Sequence, residues 1–205
     1  MPVPAVDMQE FEAAAKTILH KVLEGEHLSP FDKGRFEIQA DKMPDRDFAL
    51  QLRGLVCLGV GDETGFYDNF QKALLITQRP TDVRTNYAIA LTYLGDYEEA
   101  SAQIAEIMKD PVTMIRTGSY VKCLAISRLI MDDELQECLV AFAERYGIKN
   151  SAVGGEILTH LMGKLEDDDP LLLSYLDTSD YGQVPLEDSL PRIQHLVEEI
   201  EADNA

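Results

Sequence analysis

Apolar residues recur at intervals of three and four over most of the chain, and short breaks rich in Gly, Pro and Asp separate the runs. That spacing puts one apolar stripe on each helix, and no stretch alternates as a half-buried strand would. The fold class expected is all-α. A first helix starts at Asp7 with Glu10 as a capping-box partner, carries Met8, Phe11, Ala15, Ile18, Leu19 and Val22, and closes at Gly25. Ser29-Pro30 opens a second, to Lys42, because Ser caps well and Pro suits the first helical position. Further helices are expected over 46–60, 66–77, 81–94 and 97–109. Asp110-Pro111 then opens a long one through Ile130, and Asp132-Asp133 opens the next, ending near Gly147.

The breaks carry a period. Gly61-Asp62 recurs at Gly95-Asp96, 34 residues on, and the same offset lays Gly54 on Ala88, Cys57 on Leu91, Phe70 on Ile104 and Ala73 on Ile107. A repeat of about 34 residues is the length of a helix-turn-helix unit that buries its apolar face on its neighbours. A shift of about 38 residues lays Tyr97 on Leu135 and Ile104 on Phe142, which reads as a third, degenerate unit. The resulting organisation is an N-terminal capping hairpin over 1–45, repeats over 46–147 and an acidic helical extension over 148–205.

Residues 47–110 resemble a pair of tetratricopeptide repeats. Ala88 and Ala100 hold the family's two small positions in the second unit, and Gly54 holds the first of them in the preceding unit. Leu91, Tyr97, Ile104 and Ile107 stand where the family packs larger residues, and Pro111 lies near its closing proline. Two positions depart. Arg84 stands where Trp is frequent, and Phe66 fills the second small position of the preceding unit, which calls for a wider hairpin angle or space elsewhere.

The resemblance implies an α-α superhelix of about four hairpins whose first helices line a concave, peptide-binding face. Carried over by position, that face holds Phe48, Gln51, Leu55 and Leu58, then Asp82, Thr85, Ile89 and Thr92. Tyr120 follows from the third unit, with Cys123, Ser127 and Ile130 beyond it. Thr85 and Ile89 replace the polar clamp that one branch of the family uses for C-terminal carboxylates. The implied groove is largely apolar and suits a partner segment with apolar anchors. The same resemblance leaves a homodimer as open as a monomer.

Charge narrows the partners. The net charge is −19, and 165–205 holds twelve acidic residues against one basic, Arg192. Nucleic acid and anionic membrane both require cations, so neither is expected. Met1-Pro-Val-Pro lacks a secretory signal's basic and apolar segments, and Cys57, Cys123 and Cys138 form no C-x-x-C pair. A cytoplasmic protein with reduced thiols is expected.

Candidate chemistry is sparse. Gly59-Val-Gly-Asp-Glu-Thr-Gly65 lacks the Lys-Ser/Thr ending and the preceding strand of a phosphate loop, and reads as an inter-helix turn. His20, His27, His160 and His195 have no metal-ligand spacing, and Asp167-Asp-Asp169 lacks the alternation of a calcium loop. No enzyme, metal or cofactor is expected. The leading function is a protein–protein interaction scaffold, an adaptor or chaperone. The alternative is an acidic inhibitor or decoy that engages a basic partner through the C-terminal region.

Overall fold

The computed structural model describes residues 5–147 and 185–188. These residues are helical, with no strand among them, and they divide into two compact units, 1–96 and 97–205. The expectations for Asp167–Asp169, His160, His195 and most of the helical extension over 148–205 lie outside the described residues.

The first unit holds α1 (Ala5–Leu23), α2 (Pro30–Lys42), α3 (Arg46–Gly59), α4 (Glu63–Ile76) and α5 (Pro80–Leu94). The second helix starts where the sequence predicts: the Ser29 hydroxyl accepts from Asp32 N at 3.1 Å and Pro30 takes the first helical position. The first helix begins at Ala5, two residues before the expected cap at Asp7. The fourth begins at Glu63 rather than Phe66, because the Asp62 carboxylate accepts from Gly65 N at 2.9 Å and caps three residues earlier. Gly61 and Gly95, at φ 78° and 84°, take the left-handed turn that glycine adopts without strain.

α3 is the central helix. It packs most extensively on α4, and α1 and α2 each take it as their principal neighbour. α5 packs on α3 and α4 and also reaches α1. Between α4 and α5 lies an aromatic cluster: Phe70 stacks on Tyr87 at 4.7 Å, and Phe66 meets both rings at 5.2 and 5.7 Å. The room for the Phe70 ring comes from the facing helix. A methyl group on Gly54 would sit 2.8 Å from the Phe70 ring, so glycine is what lets this ring approach α3.

The second unit holds α6 (Tyr97–Ile107), a 3-10 turn (Val112–Met114), α7 (Thr117–Ile130) and α8 (Asp133–Arg145). α8 buries Leu135, Leu139, Phe142 and Ala143, and packs on α6 and α7. The expected long helix from Pro111 to Ile130 is interrupted. Ile115 is extended (φ −99°, ψ 130°) and its carbonyl accepts from Leu186 N at 2.8 Å, while Arg116 bridges Pro185. Leu186 and Ile115 are fully buried. A short piece of the acidic extension thus belongs to this unit's core, and the backbone break is the edge it pairs with.

Met131 ends α7 in the left-handed region at φ 53°, followed by Asp132, which caps α8 through Glu134 N (2.9 Å) and Leu135 N (3.2 Å). Turn to turn, Gly95 and Met131 are 36 residues apart rather than the 38 read from side-chain pattern. Met in glycine's place hid the signal.

Candidate functional site

Three residues set the surface on which the expected groove would lie. Phe48, Gln51 and Leu55 follow one another at helical spacing along α3, and all three are buried, with Leu58 continuing the row. On α5, Thr85 and Ile89 are buried, while Asp82 and Thr92 are half-buried. A hydrogen bond from Asn86 Nδ2 to Gln51 Oε1 (2.9 Å) ties the two helices side by side. The structure therefore brings the α3 and α5 residues together. Tyr120 lies in the second unit, buried against Phe142 at 5.7 Å, and its phenol is pushed well above the ordinary range by that burial.

The chain itself covers this surface. α1 lies along α3 and reaches α5. Phe11 stacks on Phe48 with ring centroids 4.9 Å apart and planes 22° apart. Further along, a methyl group on Gly59 would meet Ile18 at 3.3 Å and Leu28 at 2.6 Å, so the two helices close tightly at that end as well. Phe11, Ala14, Ile18 and Leu19 are the buried stripe of α1, the i, i+3, i+7, i+8 pattern of a helix seated in an apolar face. Gly59 had no reading in the sequence beyond a turn; its role is to admit Leu28.

At the Phe48 end sits a polar cluster that sequence reasoning missed. Arg79 Nη2 lies 2.6 Å from Asp45 Oδ2 and 3.4 Å from Asp47 Oδ1, and its guanidinium stands over the Phe48 ring at 4.7 Å. The Thr77 hydroxyl donates to Asp47, and Arg79 N donates to Thr77 Oγ1 at 2.9 Å. Burial pushes the Asp47 carboxyl above the usual carboxylate range; the Thr77 bond opposes that push, and the neighbouring Asp45 adds to it. Asp45 is the N-cap of α3 and Arg79 the N-cap residue of α5, one 34-residue period apart. Opposite charges at that offset were the available signal. Both carboxylates are engaged in capping or pairing, so the cluster acts as a clasp between the helix starts.

Reactive groups elsewhere are subdued. Cys57 and Cys138 are half-buried thiols pushed up by burial, which lowers their thiolate fraction, and Cys123 is buried. Among the described residues no group of three or more His, Cys, Asp or Glu side chains is placed to hold a metal ion, and no helix is long and apolar enough to cross a membrane. Compared with protein-family models, curated proteins and solved structures, the chain has no match.

Proposed function

We propose that this protein is a non-enzymatic, tetratricopeptide-like interaction scaffold of the cytoplasm, an adaptor or chaperone, whose α3–α5 face receives an amphipathic helical segment of another protein. One observation carries the reading: the face already holds such a helix, α1, through the Phe11–Phe48 stack. A surface that accepts one amphipathic helix by apolar anchors accepts others of the same spacing, which is the helix-in-groove mode of recognition. In this reading α1 is the resident occupant, and a partner displaces it. The resident helix also explains why Phe48 is buried in the chain alone.

The test keeps the full chain. Phe11→Asp removes the central anchor of α1, and a labelled peptide of residues 5–23 is then offered in trans. The peptide should bind the variant more tightly than the wild type, where the tethered α1 competes at high effective concentration. A peptide that binds neither chain, or both equally, removes the reading.

A second reading, an acidic inhibitor or decoy, rests on the charge of the stretch 165–205, twelve acids to one base. Its binding to a basic partner would weaken steeply with salt, because exposed charges are screened beyond about 8 Å at physiological ionic strength. Binding through the α3–α5 face would be salt-tolerant.

A further inference from the structure

Gln51 is a polar side chain of the α3–α5 face, and it is fully buried. The hydroxyls nearby are turned onto their own helix: Thr85 donates to Thr81 O at 2.8 Å and Thr92 to Ile89 O at 2.6 Å. Gln51 uses one end of its amide. Its Oε1 accepts from Asn86 Nδ2 at 2.9 Å, while Nε2, also buried, meets no acceptor among the described residues. A buried donor without an acceptor loses the hydration it had in the unfolded chain, a loss that a leucine at the same place would not carry. Asn86 is half-buried and so open to water, and the fold does not need Gln51 to satisfy it.

The helix lying on the face decides what Gln51 meets. Phe11 stacks on Phe48 at one end and Ile18 lies against Gly59 at the other, so α1 runs parallel to α3. In that register Ala14, three residues after Phe11, comes level with Gln51, three residues after Phe48. Ala14 is buried, and its methyl group offers an amide nothing to bond. We propose, resting on the scaffold reading above, that Gln51 is a specificity-determining residue: it selects a partner helix with serine three places after its aromatic anchor. Serine suits the place in two ways. It adds a single atom where the helices close on an alanine, whereas a longer amide or carboxylate side chain would push them apart. Its oxygen accepts from Nε2. The partner's pattern is then an aromatic residue, serine at the third place after it and aliphatic residues at the seventh and eighth, where α1 has Ile18 and Leu19. The resident α1 fits at all of these places except Ala14, and a helix that fits there as well is the stronger occupant.

The test uses the full-length Phe11→Asp chain and three labelled peptides of residues 5–23. One has the natural sequence, one carries Ala14→Ser, and one has 2-aminobutyrate at position 14, which keeps serine's shape without its oxygen. The serine peptide should bind about three- to tenfold more tightly than the 2-aminobutyrate peptide, the range for one added hydrogen bond. On a chain carrying both Phe11→Asp and Gln51→Leu, that difference should vanish while both peptides still bind. Should Gln51→Leu fail to fold, Gln51→Met, unbranched like glutamine, takes its place. Equal affinity of the two peptides for the Phe11→Asp chain overturns the proposal, and binding of the natural peptide then leaves the scaffold reading standing. A serine advantage that persists without Gln51 overturns it too, because the oxygen then serves another group. If no peptide binds, the scaffold reading itself falls and this inference with it.

Discussion

Asp47 is a carboxylate held 5% exposed, with Thr77, Arg79 and Asp45 around it. Because burial raises its folded-state titration above the ordinary carboxylate range, the folded chain binds more protons than the unfolded chain between those two values. Stability supplied through this group is therefore lost as pH rises through that window and is level above it. Asp47→Asn removes the titration and keeps an oxygen for the Thr77 hydroxyl. Measured by urea unfolding at a series of pH values, the variant's stability relative to wild type should improve as pH climbs from acid toward neutral, then flatten. An advantage that shrinks with rising pH would mean that Arg79 outweighs burial and holds the carboxyl below its usual range. The same residue shows why the clasp escaped a reading of the sequence. Asp47 and Thr77 are 30 positions apart, and a single Asp-x-Asp reads as a helix cap until α4 returns Thr77 and Arg79 to it.

At the scale of the element, three turns between successive helices pass through a left-handed residue followed by an aspartate: Gly61-Asp62, Gly95-Asp96 and Met131-Asp132. The first two were legible because glycine is the usual residue at such a position. The third was not, because the aspartate remains and the glycine does not. A left-handed L-residue costs about 1–2 kcal/mol, and glycine's extra freedom in the unfolded chain returns about half of that. Met131 is 81% exposed and loses little packing on replacement. Met131→Gly should therefore stabilise the protein by about 0.5–1 kcal/mol, seen as a higher denaturant midpoint with an unchanged slope. A fall in the midpoint would show that the exposed methionine contributes contacts that outweigh its backbone strain.

At the scale of the whole molecule, the acidic extension is anchored in the second unit through Leu186, fully buried beside the break at Ile115. Leu186→Ala should cost about 2–5 kcal/mol, the range for a buried leucine that leaves a cavity, and calorimetry reads it as a lowered melting temperature. A variant that melts like wild type would make 185–188 a passive strap. The interruption before α7 was unreadable for the same reason: Pro111 signals a helix start, and only a segment some 70 residues later in the chain explains why Ile115 stays extended.

Local chemistry was enough for the class and for most of the helices. Apolar spacing, Ser29-Pro30, Asp45, Asp62 and the two Gly-Asp turns act within four residues of themselves, so a reader of the chain meets cause and effect together. Gly54 was singled out by the 34-residue offset and Phe66 by its departure from the repeat pattern, and the structure shows that the facing glycine makes room for the Phe70 ring, on which Phe66 packs edge-on. What α3 and α5 do with their shared face was decided by tertiary structure alone. Phe48, Gln51, Leu55 and Ile89 look identical in sequence whether they line an open groove or lie under another helix. Only the packing of α1, through a ring stack between residues 37 positions apart, determines which surface is covered. Burial is a property of what the rest of the chain does, and a pattern of apolar positions specifies that a face must be covered without specifying by what.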